Sequence, residues 1–150
     1  MNTLPIAKQT AILKALTEGA SIRAAARMVG VSKTTVLKLL VAVGEMCEHY
    51  QDHMLRALSC KRIEADEIWA FVGAKQKRAH LTGQGDCWTY TAICADTKLM
   101  VSWLVGARNV ENAHIFMKDV AGRLANRVQL TTDGHTMYLS AVADAFHYDV

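Results

Sequence analysis

Residues 1–44 show apolar positions at helical spacing in three short segments. Apolar residues recur three and four positions apart within each segment, which predicts three helices. Ser21 and Ser32 precede the second and third segments, where their hydroxyl groups can cap a helix N-terminus. Gly30 lies between these segments and tolerates the positive φ of a tight turn, and Ala26 is small enough for a close helix contact. The pattern predicts a helix-turn-helix module at residues 1–44.

The polar face of the third predicted helix carries side chains suited to nucleic acid. Lys33, Thr34, Thr35 and Lys38 can donate to phosphates or base edges, and the helix N-terminus adds positive potential. Residues 1–44 contain six basic residues and one acidic residue, whereas the remainder contains eleven basic and thirteen acidic residues. This asymmetry favours double-stranded DNA as the partner of residues 1–44. The alternative is a three-helix bundle with solvated lysines.

Residues 45–61 continue the helical spacing and are predicted to form a connector. Met46, Tyr50, Met54 and Leu58 recur every four residues, so they form an apolar stripe along one face. That stripe can pack on the remainder of the chain or on another chain.

From residue 62 onward, the spacing of apolar residues is typical of a strand in some segments and of a helix in others. The predicted order is β-β-β-α-β-α, with the strands at 62–72, 87–95, 99–105 and 128–132. Three consecutive strands and a crossover helix to a fourth strand are the opening of an RNase H-like fold. We therefore predict an α+β / α/β chain in which residues 62–150 form an incomplete RNase H-like domain.

The acidic residues of the first strand suggest a metal site. A carboxylate on a partly covered strand face is costly without a cation or a donor. Asp66 lies inside the first predicted strand and Asp133 follows the fourth. If these strands are neighbours, the two carboxylates can share divalent ions, and hard oxygen ligands suit Mg²⁺ or Mn²⁺.

Three stretches of the chain, Asp66–Phe71, Ala95–Gly106 and Leu130–His135, resemble the transposases of the IS-one family of bacterial insertion sequences. The resemblance implies a DDE-type transposase. In this family an N-terminal module binds the terminal inverted repeats of the element, and an RNase H-like domain cuts and joins DNA with Mg²⁺. By the same resemblance Asp66 and Asp133 are the first and second catalytic aspartates and metal ligands.

Two further residues are candidate auxiliary groups. Glu67 is next to Asp66 but is expected to face the opposite side of the strand, and His135 is close enough to Asp133 to orient a phosphate or water. The family carries a third acidic residue later in the chain, but Asp144 and Asp149, the acids after Asp133, lie at no matching spacing. We therefore expect a transposase truncated before that residue, which binds its metal weakly and is weak or inactive alone.

Composition excludes several classes of protein. With 51% hydrophobic and 21% charged residues the chain is not disordered, and no apolar run approaches the roughly 20 residues of a membrane helix. The four cysteines form no CxxC pair, which favours reduced thiols. We expect a cytoplasmic bacterial protein, nucleoid-associated when bound to DNA and a homo-oligomer when active. Two alternatives remain, a non-catalytic DNA-binding repressor derived from a transposase and another RNase H-like nuclease.

Overall fold

The computed structural model describes residues 4–134 and 136–147 of the chain. The chain divides into two compact units, the first ending at Met54 and the second beginning at Leu55. The described residues contain five α-helices and one four-stranded mixed sheet, so the predicted α+β class is confirmed.

The first unit contains three helices, α1 (Ile6–Thr17), α2 (Ile22–Val29) and α3 (Lys33–Met54). Both predicted serine caps form: Ser21 Oγ accepts the amide of Ala24 at 3.2 Å, and Ser32 Oγ accepts the amide of Thr35 at 3.1 Å. Gly30 ends α2 in the left-handed region at φ 67°, so the chain turns sharply between α2 and α3.

The core of the first unit takes one buried residue from each helix. Ile12, Ala26 and Val36 are at most 6% exposed. Helix α3 runs without interruption through Gly44 to Met54, so residues 45–54 of the predicted connector extend this helix.

The second unit begins with irregular chain and continues with β1 (Arg62–Val72), a 3-10 helix (Gln76–Arg78), β2 (Gly85–Cys94), β3 (Met100–Gly106), α4 (Val110–Arg123), β4 (Gln129–Thr131) and α5 (Met137–Phe146). The order of strands and α-helices is the predicted β-β-β-α-β-α, and the bounds of β1 agree with the prediction. Strand β4 is shorter than predicted, at three residues.

The strands lie in the order β3-β2-β1-β4, with β1 antiparallel to β2 and parallel to β4. Strand β4 pairs with β1 only from Arg62 to Glu64. Within the described residues, the part of β1 from Ala65 to Val72 therefore has no strand on that side. This open edge of β1 is where the candidate site lies.

Helices α4 and α5 cover one face of the sheet. The buried core between them and the strands contains Ile63, Ala65, Tyr90, Ala92, Phe116, Met117, Val120 and Tyr138. The helix face of β1 is thus filled near its start, up to Ala65. None of the helices in the described residues is both long enough and apolar enough to span a bilayer.

Candidate metal centre and nucleic-acid interface

Three carboxylates converge at the open edge of β1. Asp66, Glu67 and Asp133 each offer an oxygen, and these oxygens lie within 4.8 Å of one another. Asp133 follows the last residue of β4 by two positions, and β4 is the parallel neighbour of β1, so the two aspartates meet as predicted from the strand order. In the described part of the chain this is the one group of three or more potential metal ligands.

Glu67 joins this cluster although it alternates with Asp66 along the strand. Its side chain is only 1% exposed, on the face that α4 and α5 cover, whereas Asp66 is exposed. The Asp66 side chain bends along the open edge, where its Oδ1 accepts the backbone amide of Glu67 at 2.8 Å. We expected Glu67 to point away from Asp66, but the missing strand pairing lets both carboxylates reach the same edge.

Arg108 supplies the positive charge of the cluster. Its Nη2 donates to Glu67 Oε2 at 2.9 Å and to Asp133 Oδ2 at 3.4 Å. The guanidinium also lies over the ring of Trp88, 4.8 Å from the ring centroid. No periodicity or motif marked Arg108 in the sequence, since it lies in the short loop between β3 and α4.

The backbone of Arg108 is held on both sides by buried Tyr90. The Tyr90 hydroxyl donates to the carbonyl of Ala107 at 3.0 Å and accepts the amide of Asn109 at 3.2 Å. Burial raises the pKa of Tyr90, so its hydroxyl keeps the proton that it donates. Asn109 also caps α4 by accepting the amide of Asn112 at 2.9 Å. The loop therefore presents Arg108 to the cluster in one defined position.

Three buried side-chain atoms have no partner within hydrogen-bond geometry among the described residues. They are Oε1 of Glu67, Nε of Arg108 and the hydroxyl oxygen of Tyr138. Burial raises the pKa of Tyr138, and its hydroxyl, which approaches the Glu67 carboxylate without reaching hydrogen-bond geometry, interacts with that carboxylate so that the pKa rises further and Tyr138 stays neutral. A buried carboxylate oxygen without a partner costs free energy that a cation can offset.

The donor set fits a hard divalent cation. All three ligands are carboxylates, the type that Mg²⁺ and Mn²⁺ prefer. When ionised, three carboxylates and one guanidinium leave two negative charges, which one divalent ion neutralises. The buried, unpartnered oxygen of Glu67 is a place where such an ion would be favourable.

The predicted DNA-contacting residues lie in the first two turns of α3. Lys33, Thr34 and Lys38 are exposed. Thr35 is half-buried, and its hydroxyl lies 2.8 Å from that of Ser32 in the helix cap. Three of the four side chains are thus accessible, and the fourth also supports the start of the helix.

The remaining predicted residues are not part of the cluster as described. His135 and Asp149 lie outside the described residues. Asp144 on α5 pairs with His114 Nδ1 on α4 at 3.1 Å, so it serves the contact between these helices.

Comparison of the sequence with models of protein families gives no match, and comparison with curated proteins also finds none.

Proposed function

We propose that this chain is a DDE-type transposase of the kind found in insertion sequences, which binds DNA through its first unit and cuts and joins DNA through its second, with weak activity when alone. The observation that carries the proposal is the convergence of Asp66, Glu67 and Asp133 within 4.8 Å. Asp66 and Glu67 lie on β1, Asp133 follows its parallel neighbour β4, and Oε1 of Glu67 is buried without a partner among the described residues.

The topology of the second unit supports an RNase H-like fold. Three antiparallel strands are followed by a helix, and a fourth strand then lies parallel to the first. In this arrangement Asp66, within β1, lies beside Asp133, which comes just after β4. The resemblance of the same residues to the IS-one transposases points to the same fold.

The carboxylates would hold Mg²⁺ or Mn²⁺. A divalent ion supplies Lewis-acid activation of a water or 3′-hydroxyl and stabilises the leaving oxygen of a phosphodiester. Asp66 and Asp133 would bind the ion from the exposed side, and Glu67 from the buried side. Glu67 is thus a third carboxylate for the ion, whereas the sequence indicated it only as a candidate auxiliary group.

The first unit has the features that a helix-turn-helix requires. Its two serine caps and the left-handed Gly30 shape the turn between α2 and α3. The exposed Lys33 and Lys38 at the start of α3 support its role as the helix that contacts DNA.

The metal site is tested by thermal unfolding of the full chain with increasing Mg²⁺ or Mn²⁺. Millimolar ion should raise the melting temperature, because binding to the folded state stabilises it by mass action. Asp66→Asn and Asp133→Asn should abolish the rise, whereas Glu64→Gln, which changes an exposed acid of the same strand, should keep it. A rise that survives both aspartate substitutions would refute the site.

Cleavage assays separate the proposed activity from its alternatives. Metal-dependent nicking or joining of DNA that carries the element's ends supports a transposase. Binding of that DNA without cleavage would indicate a repressor, and cleavage of an RNA–DNA hybrid would indicate another RNase H-like nuclease.

The DNA interface is tested with Lys33→Ala/Lys38→Ala. This pair should weaken duplex binding and reduce its salt dependence, because fewer counterions are released from the DNA. Lys8→Ala/Lys14→Ala removes the same charge from exposed positions on α1 and serves as the matched control. Equal weakening by both pairs would show that net charge acts rather than the face of α3.

A further inference from the structure

A basic groove lies in the second unit where the chain leaves β1. Its volume is about 480 Å³, and it is lined by Trp69, Lys75, Gln76, Lys77, Arg78 and Asp86. Three of these six side chains are cationic and one is acidic. Within the described residues Lys77 and Arg78 form no ion pair, so their charges are available to a ligand.

This groove opens on the same face of the sheet as Glu67. Trp69 follows Glu67 by two positions on β1, so both side chains lie on one face, roughly 7 Å apart along the strand. Helices α4 and α5 bury this face at Ile63 and Ala65, whereas Trp69 is 41% and Phe71 is 46% exposed. This face is therefore covered as far as Glu67 and uncovered from Trp69 onward, so the groove begins next to the carboxylate cluster along β1.

The turn that carries the cations is clamped to β2. The amide of Gln76 donates to Asp86 Oδ1 at 3.1 Å, and the amide of Asp86 donates to Gln76 Oε1 at 3.2 Å. Gly85 has φ 125°, a backbone conformation that favours glycine, and a Cβ there would push the end of the Gln76 side chain out of this clamp. The groove is therefore formed before any ligand arrives, and the carboxylate of Asp86 is engaged in the clamp.

The groove combines cations with an accessible aromatic surface. Lys75 Nζ lies 5.2 Å from the centroid of the Trp69 ring, and the rings of Trp69 and Phe71 are 5.8 Å apart. Cations bind phosphates, and an exposed ring can stack with a base that is not already stacked in a duplex. Single-stranded DNA offers both groups at once.

We propose that this groove binds a single-stranded DNA segment, with its phosphates on Lys75, Lys77 and Arg78 and a base on Trp69. The binding itself depends only on the residues of the groove. Its role, to hold a strand beside the carboxylate cluster, rests on the proposed function.

The test uses the full chain and a fluorescein-labelled ten-nucleotide oligothymidylate, with fluorescence anisotropy measured in EDTA so that no divalent ion contributes. Lys77→Ala/Arg78→Ala should weaken binding about tenfold and reduce the slope of log affinity against log salt by roughly 1.4, the value for two contacts to a single strand. Trp69→Ala should weaken binding at least fivefold with little change in slope, since stacking releases few counterions. Trp69→Phe should retain most of the affinity, because it keeps a stacking ring.

The variant Lys33→Ala/Lys38→Ala distinguishes this groove from the face of α3, since it should weaken duplex binding and leave binding of the oligothymidylate unchanged.

The proposal is overturned if the oligothymidylate does not bind, or if Trp69→Ala binds it like the parent. It is also overturned if Lys77→Ala/Arg78→Ala weakens binding no more than Lys8→Ala/Lys14→Ala. Loss of self-association in Trp69→Ala, with DNA binding intact, would instead assign the groove to a protein partner. Because EDTA removes the metal, failure of the metal site leaves this test unaffected.

Discussion

Two arginine–carboxylate pairs in the second unit have the same chemistry and different surroundings. Arg62 pairs with Asp96 where both side chains are exposed, by 57% and 40%. Arg108 pairs with Glu67 where the arginine is 29% and the carboxylate 1% exposed. Exposed pairs contribute little because water and salt screen them, whereas breaking a buried pair leaves a charge without compensation. Burial therefore decides which of the two arginines the fold depends on.

The second pair is also part of a larger group of charges. Arg108 contacts Asp133 as well as Glu67, and Asp66 lies beside them. The Arg108 guanidinium thus offsets the repulsion among three carboxylates, whereas Arg62 pairs with the single carboxylate of Asp96. If the cluster is a metal centre, Arg108 is also the cation with which the metal competes.

The largest expected effect is on stability without metal. Arg108→Gln should lower the free energy of unfolding by about 3 kcal/mol, because it leaves Glu67 buried beside two other carboxylates. Arg62→Gln removes the same charge from an exposed site and should behave like the parent. Urea unfolding in EDTA measures both. Equal losses in the two variants would show that burial does not separate these pairs.

The next effect concerns the divalent ion. In Arg108→Gln the ion should raise the melting temperature more than in the parent, and the half-saturating Mn²⁺ concentration should fall about fivefold, because no guanidinium competes for the carboxylates. Arg62→Gln should match the parent. If the rise disappears in Arg108→Gln, the arginine is needed to position the ligands and does not act as a competitor. A melting series over Mn²⁺ concentration distinguishes these results.

Salt concentration should change the stabilising contributions of the two pairs by different amounts. Raising NaCl from about 50 to 500 mM shortens the screening length to a few ångströms, so any difference between the parent and Arg62→Gln should vanish. The loss of unfolding free energy in Arg108→Gln relative to the parent should largely persist, because Glu67 is shielded from solvent. Unfolding midpoints at the two salt concentrations provide the measurement. If this loss of stability disappears at high salt, the Arg108 pair behaves like an exposed pair.

The smallest effect is the acid response of the exposed pair. The hydrogen bond from Arg62 holds the pKa of Asp96 below its usual value of 3.8. A carboxyl with a lowered pKa in the folded state stabilises it above the ordinary pKa, and this contribution is lost as the pH falls through the lowered value. The small difference between the parent and Asp96→Asn should therefore be present at neutral pH and absent at the acid end of a melting series. A difference that grows on acidification would contradict this assignment.

The periodic pattern of the sequence determined the order of the elements. The strand-forming residues from Arg62 to Val72, which end at Gly73, predicted β1, and Ser21, Ser32 and Gly30 predicted the caps and turn of the first unit. These features depend on residues only a few positions apart, so local spacing records them. The predicted neighbours β1 and β4 also brought Asp66 and Asp133 together, because connection rules restrict where a crossover strand can lie.

Only the tertiary structure decided which other residues belong to the cluster. Strand β4 ends after Thr131, and the resulting open edge lets the Glu67 carboxylate meet Asp66 despite their alternation. Arg108 is 41 positions from Glu67 and 25 from Asp133, and it reaches them because buried Tyr90 holds its loop. Contacts over such separations leave no periodic mark in a single sequence, since they depend on where strands end and loops are anchored. For this chain the pattern predicted the elements and two acids, and packing selected the third carboxylate and its counter-charge.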